Sequence, residues 1–138
     1  MNFEEFCDFC EDSMIPPYLP IDEIPRPYNN NDTVERKLQV TTVKLLQQQG
    51  MNHRIQLLIY AYYIGEVIEQ QLNPRSYWSI WKTMVNKSLY QAVRRTYDLF
   101  KGKSLYIYQT MQVSLSKIRK LSSSDYYLVK KIMQSSTK

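Results

Sequence analysis

Glycine is nearly missing from this chain, with 3 residues in 138. That excludes Gly-rich phosphate loops, collagen-like repeats and most turn-dense all-β folds. Histidine is reduced to His53 and cysteine to Cys7 and Cys10. With one histidine and no G-x-S-x-G, a Ser-His-Asp triad has no material to form from. A lone C-x-x-C lacks the second ligand pair of a structural zinc site, and no βαβ pattern surrounds it to make it a redox pair. Both cysteines read as apolar positions on a short helix. His53, at a helix start, reads as a surface or capping residue. Glu66 and Glu69 come nearest to a carboxylate pair, and the expectation is an exposed Glu69 and a Glu66 paired with a nearby Arg or Lys. No metal and no cofactor is expected, and an enzyme is kept only as a residual alternative.

Long apolar runs are scarce too. The stretch from Ile55 to Ile68 is interrupted by Gln56 and Glu66, and at about 14 residues it falls short of the roughly 20 that span a bilayer. The N-terminus has neither the basic nor the apolar region of a signal peptide. The expectation is an intracellular chain, in nucleus or cytoplasm, that is not secreted and has no membrane partner. Asn31-Asp32-Thr33 and Asn86-Lys87-Ser88 match the glycosylation sequon and read as chance.

What is present is the balance of one globular domain, 43% hydrophobic and 22% charged, with 12 tyrosines. The net charge of +5 hides a division. Residues 1–31 hold seven acids and one base, Arg26, a net −6, whereas residues 32–138 hold six acids and seventeen bases, a net +11. The chain therefore divides into an acidic, proline-rich arm, 1–31, and a basic α-helical domain, 32–138.

Phe3, Phe6, Cys7, Cys10 and Met14 fall on one face of a short helix with acids on the other. Residues 15–31 then hold five of the six prolines, which block helix and favour a stiff, extended backbone. From Asp32 onward helix signals dominate. Helices are expected at about 33–49, 53–72, 74–101, 104–121 and 125–134. Their starts are marked by an Asp32–Glu35 capping box, Asn52, Asn73-Pro74 and Ser104, and Gly50 and Gly102 act as stops. Helix 53–72 is apolar on most sides and should be the central buried element, with Gly65 allowing a close crossing. Trp81 and Leu58 are expected in the core. No internal repeat, sustained heptad or long period-2 stretch occurs. The fold class is all-α: a compact bundle of about five helices with an N-terminal acidic helix and a proline-rich arm.

Two surfaces stand out. Twelve bases against two acids occupy residues 82–138, and phosphate binding needs such a cluster because counterion release supplies the affinity. The candidates are Lys87, Arg94, Arg95, Lys101, Lys103, Lys117, Arg119, Lys120, Lys130 and Lys131. Tyr90, Tyr106, Tyr126 and Tyr127 are interleaved with them and suited to stacking on single-stranded bases. The plainer reading is a solvated basic face. No groove-reading motif is present, so sequence-specific readout is not expected. The arm offers Phe3, Phe6, Phe9, Tyr18, Leu19 and Ile24 as anchors for a protein partner, or for docking on its own basic body. These features point to a non-catalytic interaction subunit of a larger assembly. Its arm would contact a protein partner, and its body nucleic acid or an acidic partner. The alternative is a structural virion or nucleoprotein component that self-associates along nucleic acid, so a homo-oligomer is possible.

Overall fold

The computed structural model describes residues 25–51, 54–101 and 115–135. The acidic helix, most of the arm, and the predicted starts at Asn52 and Ser104 lie outside the described residues. Within them are six helices and no strand, an all-α architecture: α1 (Val34–Met51), α2 (Arg54–Glu69), α3 (Pro74–Lys82), α4 (Lys87–Phe100), α5 (Leu115–Lys120) and α6 (Ser123–Ser135). The chief packings are α1 on α2, α2 on α4 and α4 on α5.

The centre is α2, as its composition requires. Leu58, Ile59, Ala61, Tyr63, Ile64, Val67 and Ile68 are all buried. Such a helix cannot hide its surface on one neighbour, so it is covered from several sides. Leu38, Thr41 and Leu45 of α1 supply one cover, and Leu89, Ala92, Val93 and Phe100 of α4 another. The buried hydroxyls are satisfied within their own helices: Thr41 and Thr42 donate to the carbonyls of Lys37 (2.7 Å) and Leu38 (2.6 Å), and Thr96 donates to Ala92 (2.7 Å). Thr42 also accepts from the indole N–H of the fully buried Trp81 at 2.9 Å, tying α3 to α1. Leu58 and Trp81 are core residues, as expected.

Gly65 lies where α2 meets Tyr97 of α4. A Cβ at Gly65 would come within 2.4 Å of Tyr97 Cγ and 2.5 Å of its Cβ. These atoms are the stem of the tyrosine, so no rotation of the ring would clear them.

Several local details differ from the sequence expectation, among them that α1 runs through Gly50, expected as its stop, to Met51. The single helix expected at 74–101 is two. Thr83 donates its hydroxyl to the Ile80 carbonyl at 2.7 Å, and the Asn86 side chain accepts from the Leu89 N–H at 2.8 Å from an extended backbone. Together they satisfy the helix ends that a continuous helix would not expose. Met84 sits in this break and is exposed. At α1 the cap is Thr33, which accepts from the Arg36 N–H at 3.1 Å, while Asp32 accepts from the Asn29 N–H at 3.0 Å and closes the preceding turn. The α2 helix ends at Glu69, short of the expected 72.

The last described residues of the arm lie on the body. Arg26 makes a two-pronged ion pair with Glu66, at 2.7 and 2.9 Å, and its guanidinium covers the Tyr63 ring at 4.8 Å. Tyr28 packs against the core, with Lys37 over its ring at 5.3 Å. Glu66 is thus paired, and Glu69 is exposed, as expected. The one base of the arm meets one of the few acids of the body, the reverse of the overall charge pattern.

Candidate nucleic-acid interface

The helix period brings Lys87, Tyr90, Gln91, Arg94, Asp98 and Lys101 onto one side of α4 and the residue after it. They form the floor of a groove of about 510 Å³, which Glu69, Trp78 and Lys82 border at one end and Ser123, Tyr126 and Tyr127 at the other. Trp78 meets Tyr90 and Arg94, while Tyr126 meets Arg95 and Asp98, so α3 flanks the earlier part of the floor and α6 the later part.

At the α3 end cations lie on aromatic rings. The Arg94 guanidinium is 5.0 Å from the Trp78 ring centre and 5.8 Å from that of Tyr90, and its Nη1 donates to the Tyr90 hydroxyl at 3.1 Å. Lys82 Nζ lies 5.5 Å from the same Tyr90 ring. Trp78 in turn donates its indole N–H to Glu69 at 3.2 Å and stands edge-on to Trp81. Buried indoles thus form a rigid bed for an arginine that is itself exposed. Among the described residues, neither Lys87 nor Arg94 has an acidic partner.

At the α6 end the charges are matched. Asp98 accepts from the Tyr126 hydroxyl and pairs with Lys130 at 2.7 Å and Lys101 at 3.3 Å. Burial pushes the Asp98 carboxyl up, but the hydrogen bonds from Lys130, Tyr126 and Lys101 outweigh it and hold the group below the usual aspartate range. Burial first, and then the bond to Asp98, push the Tyr126 hydroxyl well above its ordinary value.

The ten cations picked from the sequence therefore do not form one face. Lys87, Arg94 and Lys101 share the groove. Arg95 borders it but points inward: it is 7% exposed, donates to the carbonyls of Ile118 (3.2 Å) and Leu121 (2.8 Å), and lies over the Tyr126 ring at 4.8 Å. Its position explains this, since it stands three residues after the buried Ala92 and four before the buried Leu99. Lys130 is committed to Asp98. Arg119 borders a separate recess with Gln49, Leu57 and Ser116. Lys120 and Lys131 are exposed, Lys117 is half-buried, and Lys103 lies outside the described residues, as do Phe3, Phe6, Phe9, Tyr18, Leu19 and Ile24.

Of the tyrosines proposed for stacking, Tyr127 is 67% exposed and Tyr126 only 8%. Tyr90 is half-buried under its two cations, and Tyr106 is outside the described residues. Sequence reasoning missed Trp78 as a site residue. The available signal was the spacing of Trp78 and Lys82 and of Tyr90 and Arg94, each four apart on one helix face. Among the described residues no group of three His, Cys, Asp or Glu could hold a metal ion, and no helix is long and apolar enough to cross a membrane. The chain matches no protein-family model, no curated protein and no solved structure.

Proposed function

We propose that the chain is a non-catalytic interaction subunit of a larger assembly, whose basic helical body holds nucleic acid by its phosphate backbone and whose acidic aromatic arm engages a protein. The observation that carries the nucleic-acid half is the groove floor on α4. Lys87 and Arg94 face outward without an acidic partner among the described residues, and Lys82 and Lys101 stand beside them. Such a row lowers the free energy of a polyanion mainly by releasing its counterions, so the binding is salt-sensitive and indifferent to sequence. The arm's role rests on its composition and on Arg26, which holds the C-terminal end of the arm against α2.

The test is fluorescence anisotropy with a labelled random-sequence oligonucleotide over a salt series. Affinity is expected to fall steeply with salt. Charge reversal at Lys82, Lys87 and Lys101 is expected to abolish binding, whereas reversal at Lys131, away from the groove, changes it little. Absence of binding at low salt, or equal binding by the triple variant, rejects the reading.

A second reading, self-association along nucleic acid, draws on the exposed Val43 and Leu46 of α1 and Ile80 and Met84 at α3. Solution mass decides it: open-ended assembly supports it, and a defined monomer or hetero-complex removes it.

A further inference from the structure

We infer that the groove is built for a single strand, with an unpaired base laid on the outer face of Arg94 and a second on Tyr127. The inference rests on the reading of the groove as a nucleic-acid site and names the strand it takes.

Arg94 is the decisive residue. A surface arginine that only meets phosphates needs reach and charge, and a mobile chain serves for both. Arg94 is instead held in place, with its guanidinium over Trp78 at 5.0 Å and its Nη1 on the Tyr90 hydroxyl at 3.1 Å. Trp78 is fixed in turn by Glu69 and by Trp81. The guanidinium, a flat plate, is thus fixed over an indole with the side chain still exposed. Unpaired bases stack on such plates as they do on aromatic rings. In a duplex the base faces are already covered by their neighbours, so a flat plate has nothing to receive there.

Tyr127 borders the same groove and is 67% exposed. Tyr126 beside it is turned inward onto Asp98, so the pair divides one structural and one outward ring between them. The volume, about 510 Å³, is that of a site for one or two nucleotide-sized groups. Lys87 and Lys101 border the floor at its two ends and are placed to meet the phosphates that flank the bases.

The competing occupant is an acidic peptide. Carboxylates would also meet the lysines and the free donors of Arg94, but a glutamate or aspartate side chain has no ring to lay on the exposed Tyr127.

The experiment titrates the full chain with one labelled oligonucleotide, as a single strand and annealed to its complement, and includes a polyglutamate competitor. The parent is expected to bind the single strand at least tenfold more tightly than the duplex. Arg94→Lys keeps the charge and loses the plane. It is expected to weaken single-strand binding about tenfold, the scale of one lost stacking contact, with the duplex affinity and the salt slope unchanged. Tyr127→Ala, on an exposed ring that does not support the fold, is expected to do the same. Lys87→Ala weakens both forms and lowers the salt slope by about 0.7 to 0.9. Equal binding of single strand and duplex, or parental single-strand affinity in both Arg94→Lys and Tyr127→Ala, overturns the inference and leaves the backbone-binding reading standing. Displacement by polyglutamate as effective as by unlabelled strand assigns the groove to acidic peptide and overturns it too. No binding of either form at low salt overturns both.

Discussion

Arg26 and Arg94 have the same immediate surroundings and opposite fates. Each lies over an aromatic ring, Tyr63 at 4.8 Å and Trp78 at 5.0 Å. Arg26 ends in a two-pronged pair with Glu66, its donors used and its charge cancelled. Arg94 ends on a tyrosine hydroxyl and faces out with no acid in range among the described residues. Stacking on a ring therefore says little about what an arginine does. What its remaining donors meet separates a fastening from a binding surface, and on this chain the two lie on adjacent helices, α2 and α4.

The largest perturbation removes the support beneath the Arg94 end of the groove. Trp81 is fully buried, stands edge-on to Trp78, and donates to Thr42. Trp81→Ala is expected to cost about 3–5 kcal/mol in chemical denaturation. A loss below about 1 kcal/mol would mean that the bed under Arg94 is not continuous with the core.

Next comes the crossing that holds the two regions apart. Gly65→Ala forces the helices to separate at Tyr97, and a destabilisation of about 1–3 kcal/mol is expected from overpacking. The double variant with Tyr97→Ala should lose less than the two single losses added together, because the clash is relieved. Strict additivity would show that Gly65 matters for some reason other than that contact.

Glu66→Gln acts on the fastening alone. Arg26 is about half exposed, so water screens the pair, and the expected loss is about 1 kcal/mol or less. The informative reading is anion binding: releasing Arg26 should leave the affinity of the groove unchanged. A change of tenfold or more would join the two regions that the comparison separates.

The smallest effect is a pH dependence at the α6 end. The Asp98 carboxyl is held below its ordinary value of 3.8, so its contribution is present above that pH and is lost as pH falls further. The raised Tyr126 hydroxyl works in the opposite direction: its contribution is present below 10.0 and is lost as pH rises above it. Thermal melts across pH should show a shallower acid limb for Asp98→Asn and a shallower alkaline limb for Tyr126→Phe. Unaltered limbs would place the pH sensitivity elsewhere.

Much of this fold is readable from residue spacing, and the exceptions have physical reasons. The central position of α2 follows from apolar residues on most of its sides, and the pairing of Glu66 follows from placing a carboxylate on such a helix. The break between α3 and α4 escaped because Met84 and Val85 continue the apolar rhythm, while the turn is decided by the side chains of Thr83 and Asn86. Charge counting placed Arg95 at the surface, although the period of Ala92 and Leu99 already turned it inward. The site was half legible: a list of cations can be read from a sequence, but the tryptophan that orders one of them comes from a neighbouring helix across a turn.

Arg95 has a consequence for any charge-reversal survey of this surface. Its guanidinium occupies the Ile118 and Leu121 carbonyls, where the six residues of α5 run out. A helix so short does not persist unaided, so one cation from α4 serves as the clasp at its end. Reversing that charge would set a carboxylate against two carbonyl oxygens, unseat α5 and carry the first turn of α6 with it, along with Tyr127. Ligand affinity would then collapse at a position that touches no ligand, and a survey scoring affinity alone would rank Arg95 first among the contacts. Amide hydrogen exchange across residues 115–135 tells the two situations apart: a lost contact leaves protection there intact, and a lost clasp removes it.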